Sequence, residues 1–152
     1  GEDMALISEA GLPAVADPGA NLVDLAHRHD IEVIPFVGPS SLMMALMSSG
    51  LNGQSFAFSG YLPVKPHERK AKIKELEKRS RNGKQSQIFI ETPYRNGQLF
   101  ADMLSVCAPK TRICVAADIT LPTQTILTRS VSQWKKNPLE IGKRPCVFVL
   151  LA

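Results

Sequence analysis

Cysteine is scarce in this 152-residue sequence, with only Cys107, Cys114 and Cys146. They are odd in number, scattered, and lack the paired spacing of a zinc site. Each has apolar neighbours and reads as a small core residue in a reducing compartment. Histidine is equally sparse. His27, His29 and His67 fall on helices or helix starts, with no carboxylate and nucleophile at a useful spacing, so a hydrolytic triad is not supported. The acidic residues are spread out, which leaves no metal site. No apolar run reaches the length of a membrane span, and no signal peptide opens the chain, so the expectation is a cytoplasmic protein without a membrane partner. Neither the dinucleotide glycine fingerprint nor the phosphate-cradling P-loop is present. There is no internal repeat and no low-complexity segment. The length suits one domain with a sizeable core, or one and a part.

What is present begins with a mild positive charge of +4. It is compatible with a nucleic-acid partner, although a solvated basic surface is the commoner cause. The most basic run spans residues 65–84. It reads either as a solvated helix face or as a surface for phosphate backbone.

The chain is organised around residues 5–21, A-L-I-S-E-A-G-L-P-A-V-A-D-P-G-A-N. Residues 5–7 read as the end of a buried strand. Ser8, Glu9, Ala10 and Gly11 follow, with small side chains that let backbone approach a ligand. Asp17 has the form of a helix N-cap, and Pro18 suits the first helical position. Ligands of open α/β sheets collect outside the carboxyl ends of strands, so this loop is a candidate site. Gly and Pro are also common in any strand-to-helix connection.

Residues 21–30 are amphipathic, with Leu22, Leu25 and Ala26 on one face, and 31–36 read as a strand. Residues 37–41 form a linker, and 42–49 a helix apolar nearly all round, whose methionines fill core or line a pocket. Residues 55–59 read as a strand. Residues 67–81 read as a helix with Glu68–Lys72, Glu75–Arg79 and Glu77–Arg81 pairs and a narrow stripe of Ala71, Ile73 and Leu76. Strands at 87–90 and 112–117 flank a helix at 98–107. A strand at 123–128 is placed to pair with 112–117 as a hairpin. A short helix at 131–136 and a final apolar strand at 146–151 complete the chain. The fold class is α/β, with the end of a first βαβ domain at 1–38 and a mixed-sheet α/β domain at 39–152.

Several motifs occur together in order. They are Ala10-Gly11-Leu12-Pro13 with Asp17-Pro18-Gly19; Val33-Ile34-Pro35 with Gly38-Pro39-Ser40-Ser41; Gly60-Tyr61-Leu62-Pro63 with Lys65 and Arg69; and Glu91-Thr92-Pro93-Tyr94-Arg95. Together they resemble the tetrapyrrole methylase superfamily, with its "S-D-A-G-T-P…D-P-G", "V-x-P…G-P-S-A", "G-F-L-P-x-K…R" and "E-S-P-H-R" signatures. The nearest branch is the one that 2'-O-methylates a cytidine of small-subunit ribosomal RNA. The likeness covers nearly the whole chain.

The resemblance implies a tetrapyrrole-methylase-like fold with S-adenosyl-L-methionine held between two domains. It implies donor contacts at Ala10, Gly11, Leu12, Val15, Ser40, Ser41, Ile90, Glu91, Ala117, Asp118 and Ile119. It places Lys65, Arg69, Lys72 and Arg95 toward the substrate, ribosomal RNA or the small ribosomal subunit, and it implies a homodimer. No catalytic residue is assigned. Methyl transfer from a sulfonium mainly requires donor and acceptor to be held in line. The family carries a stretch before the first motif, so the expectation is a fragment lacking N-terminal strands, inactive alone. Three departures stand out. Leu12 replaces Thr, Tyr94 replaces His, and A-A-D-I-T-L at 116–121 replaces "A-R-E-L-T-K". Two alternatives therefore stay open: methylation of a tetrapyrrole-like small molecule, and a non-catalytic ligand-binding domain.

Overall fold

The computed structural model describes residues 2–152. It falls into two compact units, one ending at Ser41 and the other beginning at Leu42; the sequence places this division between 38 and 39.

The first unit holds one helix, α1 (Ala20–Arg28). Asp17 and Pro18 do not start it. Its N-cap is Gly19, without a side-chain cap. Gly19 has φ +135, and a Cβ there would sit 2.5 Å from Leu6 Cδ2, so only glycine fits. The expected strands at 5–7 and 31–36 are not formed; both stretches lie outside regular structure. An extended segment without a paired neighbour leaves its ladder groups unsatisfied, and a strand is stable only within a sheet. α1 buries no residue.

The second unit is a five-stranded mixed sheet between helical layers. It comprises α2 (Ser41–Ser49), β1 (Phe56–Tyr61), α3 (Pro66–Gly83), β2 (Ser86–Ile90), α4 (Asn96–Val106), β3 (Arg112–Ala117), β4 (Thr125–Ser130), α5 (Val131–Lys136) and β5 (Cys146–Leu151). The strand order is β1-β2-β5-β3-β4. β1 and β2 are parallel, joined through α3. β5 inserts antiparallel between β2 and β3, and β3 and β4 form the expected antiparallel hairpin. This is the mixed-sheet α/β architecture read from the sequence.

Strand alternation sorts the core onto two faces. Phe89, Ile113, Val115, Phe148 and Leu150 face Ile73, Leu76, Leu99, Phe100, Met103 and Trp134 from α3, α4 and α5. Ile88, Cys114, Ala116, Val147 and Val149 face Leu42, Ala45 and Leu46 of α2. α2 is thus buried on one side only, with Met43 and Met47 exposed rather than in the core. On α3, Ile73 and Leu76 are fully buried while Ala71 is exposed.

Local chemistry sets the helix ends. Pro66 sits at the first turn of α3, and Lys84, φ +48, closes it in the left-handed conformation. Ser130 and Gln133 form a reciprocal capping box at the start of α5. Trp134 follows, its indole N–H donating to the Ile113 carbonyl at 2.9 Å. The Glu75–Arg79 and Glu77–Arg81 pairs form at 3.8 and 3.7 Å. Lys72 turns instead to Glu75, at 2.8 Å, not to Glu68. All three cysteines are buried and free. Burial pushes the Cys107 and Cys146 thiols up to about 12 and raises that of Cys114. Among the described residues no helix is long and apolar enough to cross a membrane.

Candidate functional site

The expected donor residues divide between the units. In the first, Ala10, Gly11 and Val15 are exposed, and Leu12 is half-buried. The loop is tightly wound. Gly11, Ala14 and Ala16 all have positive φ, at +85, +64 and +55. Apart from its two chain neighbours, no atom of the described residues lies within 4 Å of where a Gly11 Cβ would be. The Ala14 N–H donates to the Pro18 carbonyl at 3.2 Å, and the Val15 N–H to that of Leu12 at 3.2 Å. Ser40 is half-buried, and Ser41 opens α2.

In the second unit, the topology brings Ile90, Glu91, Ala117, Asp118 and Ile119 to one edge of the sheet. Ile90 pairs with Val147 and Ala117 with Cys146, on either side of β5, so the two strand ends lie about 10 Å apart, two strand spacings. Ala117 belongs to the helical-layer core, which leaves it only backbone to offer a ligand. Ile119 packs against the cluster beneath α2.

The polar groups at this edge are unusual in their burial. The Glu91 side chain is 0% exposed; its Oε1 accepts from the Thr92 N–H at 2.7 Å and from Arg95 Nη2 at 2.6 Å and Nε at 3.1 Å. Its Oε2 is buried and has no hydrogen-bond partner among the described residues. Asn96 is fully buried; its Nδ2 donates to the Arg144 carbonyl at 2.7 Å, while its Oδ1 has no partner. A buried acceptor without a donor carries a desolvation cost, and native structures keep few of them. Asp118 is buried with φ +51, and its Oδ2 accepts from Thr123 Oγ1 at 2.9 Å and lies 3.7 Å from Arg144 Nη1.

The four residues expected to face a substrate are all engaged elsewhere. Arg69 is the clearest correction. It is 1% exposed, with Nε 2.7 Å from Asp102 Oδ2 and Nη1 2.8 Å from the Val64 carbonyl. It fastens α3 to α4 and is too deep to meet a macromolecule. Lys65 is exposed and lies 3.4 Å from Glu68. Both oxygens of Glu75 accept from Lys72, and Arg95 is held by Glu91. Lys74 and Lys78 are exposed on α3 and make no ion pair among the described residues.

Sequence reasoning missed Asn96, Thr123, Lys143 and Arg144. The last two precede an unmistakable strand and carry no local signature, so only the sheet order reveals what they touch. Among the described residues no group of three or more His, Cys, Asp and Glu side chains is arranged to hold a metal ion.

No protein-family model matches the chain. Individual proteins do. It is 38% identical over 126 residues to a Vibrio cholerae protein named ribosomal RNA small subunit methyltransferase I, covering 83% of this chain and 42% of the relative. A Pseudomonas aeruginosa protein of the same name is 36% identical over 153 residues, covering 99% of this chain and 53% of the relative. The chain spans about half the length of the curated relatives it matches. Among solved structures, the methyltransferase CobJ superposes with a TM-score of 0.59 at 20% identity, covering 93% of this chain and 61% of that one. Uroporphyrin-III C-methyl transferase from Thermus thermophilus, complexed with S-adenosyl homocysteine, gives 0.51 at 16% identity, covering 93% and 62%. These structural likenesses bear on the fold alone. By sequence, then, the chain is a homologue of the proteins named ribosomal RNA small subunit methyltransferase I, built on the fold of the tetrapyrrole methylases.

Proposed function

We propose that the protein is an S-adenosylmethionine-dependent methyltransferase that 2'-O-methylates small-subunit ribosomal RNA. The observation that carries this reading is the 36% identity to the Pseudomonas relative over 99% of the chain.

The residues at the strand-end edge suit the donor. S-adenosylmethionine presents an ammonium, ribose hydroxyls and an adenine amino group, all of which seek acceptors. Glu91 Oε2 and Asn96 Oδ1 are buried acceptors without protein donors. The bound donor supplies an already activated methyl on its sulfonium. The chain's task is to hold it in line with the acceptor oxygen and to keep water away. Backbone at Ala10, Gly11 and Leu12, the side chain of Val15, the hydroxyls of Ser40 and Ser41, and backbone at Ile90, Ala117, Asp118 and Ile119 are the remaining proposed contacts. Gly11 favours backbone contact, because φ +85 disfavours any side chain there.

For the RNA, the pairing pattern moves the proposed contact along α3. Lys74 and Lys78 are one helical turn apart and pair with no carboxylate among the described residues, whereas Arg69 belongs to the interior. Phosphate contacts of this kind weaken as salt rises. With this reading go a cytoplasmic location, consistent with three free buried thiols, and a homodimer, which light scattering would test.

The direct test is transfer of a labelled methyl to small ribosomal subunits, or to their deproteinised RNA, by the full-length protein. Labelled RNA, with the label at a ribose 2'-oxygen, is the expected result. Label found only in a tetrapyrrole acceptor would favour a small-molecule methylase. Donor binding without transfer to either would favour a binding domain.

A further inference from the structure

Residues 143–145, just before β5, touch both strand-end loops. Toward loop 91–96, Lys143 Nζ lies 5.4 Å from the centre of the Tyr94 ring, and the Arg144 carbonyl accepts from Asn96 Nδ2 at 2.7 Å. Toward loop 118–125, Arg144 Nη1 donates to Thr125 Oγ1 at 3.0 Å and to the Thr123 carbonyl at 3.3 Å, and it lies 3.7 Å from Asp118 Oδ2. The Pro145 carbonyl accepts from the Asp118 N–H at 3.0 Å. Arg144 Nε donates to the Ile141 carbonyl at 2.6 Å, which fixes the plane of the guanidinium.

We infer that residues 143–145 form a strap that holds loops 91–96 and 118–125 in one arrangement, with Arg144 as a positioning residue for the methyl donor. The inference rests on the donor reading given above. Its physical basis is the strain in the second loop. Asp118 and Thr120 both carry side chains at positive φ, +51 and +73. Such conformations persist where surrounding contacts over-determine them. Within the loop, the Thr120 N–H donates to Gln124 Oε1 at 2.8 Å and Thr123 Oγ1 to Asp118 Oδ2 at 2.9 Å. From outside it, the contacts come from one planar, multiply donating guanidinium and the Pro145 carbonyl beside it. Lysine, with a single point charge on a flexible stem, cannot reproduce that fork. The same segment ties down the loop that carries Glu91, so the relative placement of the two loops depends on it.

The test uses Arg144→Ala, Arg144→Lys and Asn96→Ala in the full-length protein, with S-adenosylhomocysteine as the probe. Three quantities are read: calorimetric affinity, melting temperature, and amide hydrogen exchange across 118–125. Arg144→Ala is expected to speed exchange in 118–125 selectively and to weaken binding roughly tenfold or more, since small misplacements of a site are costly. Arg144→Lys should recover only part of both effects. Asn96→Ala, which removes the hydrogen bond to the Arg144 carbonyl, should speed exchange in 118–125 by less. It serves if Arg144→Ala fails to fold, and it is read by exchange alone, since Asn96 Oδ1 is itself a proposed donor contact. Lower melting with evenly raised exchange throughout the second unit, and unchanged affinity of the folded protein, would assign Arg144 to general stability and overturn the inference. A parent that binds no S-adenosylhomocysteine overturns the methyltransferase reading and the donor half of the inference. Local exchange still decides the strap, and unaltered exchange at 118–125 would reject it.

Discussion

In α1, Leu22 and Leu25 stand three residues apart and remain 38% and 50% exposed. In α3, Ile73 and Leu76 have the same spacing and are fully buried. The two helices carry comparable apolar pairs, yet only one buries its pair completely. The difference lies in what each helix is laid upon. α3 crosses between two parallel strands and covers Phe89 and Phe148 on a completed sheet. The first unit contains no strand among its described residues, and Ile31, Ile34, Phe36 and Val37 are all exposed there. Amphipathic spacing offers a face; burial requires a partner surface made by residues distant in sequence.

The comparison can be broken by substitution, and the largest effect is expected at the buried ion pair. Arg69→Ala leaves Asp102 with Lys70 alone, at 3.4 Å, and empties the space of a fully buried side chain between α3 and α4; it should cost about 3–5 kcal/mol in urea unfolding. A loss below about 1 kcal/mol, with weakened RNA binding, would return Arg69 to the surface role expected from the sequence. Next comes Leu76→Ala, which should cost about 3 kcal/mol through lost burial and a residual cavity.

The pH response should also belong to the second unit. Cys107 and Cys146 are raised from 9.0 to about 12 by burial. Between those values the unfolded chain gives up thiol protons that the folded chain keeps. Stability should therefore be intact below pH 9 and fall as pH rises above it, by up to roughly 1.4 kcal/mol per pH unit per thiol. Urea midpoints at pH 8 and 10.5, for the parent and for Cys107→Ala with Cys146→Ala, isolate this contribution; equal slopes in both proteins would refute it. The smallest effect is expected from Leu25→Ala, within about 0.5 kcal/mol. A loss like that of Leu76→Ala would mean that α1 is covered.

Much of the second unit was legible because its signals are local. β3, α5 and β5 begin and end where the sequence places them, β5 because it is a continuous apolar run. The insertion of β5 between β2 and β3 was not legible, because pairing over such separations leaves no short-range pattern. The same limit hid Arg144 and Asn96, whose partners lie 19 to 48 residues away. Glu91 was singled out through a recognisable motif; that its Oε1 would be spent on Arg95 and Oε2 left unpartnered was not legible. In the first unit, β-branched runs at 31–36 satisfied a strand pattern, but the hydrogen-bonding neighbour that makes a strand is a tertiary fact.

The proposed donor site is the edge formed by the ends of β2 and β3. Amide hydrogen exchange of the full-length protein, with and without saturating S-adenosylhomocysteine, tests it directly. The expected result is protection at residues 90–92 and 117–124, with the outer edge strand β4 and the exposed face of α3 unchanged. Ligand that binds by calorimetry but leaves both strand ends exchanging as before, or no binding at millimolar concentration, would contradict it.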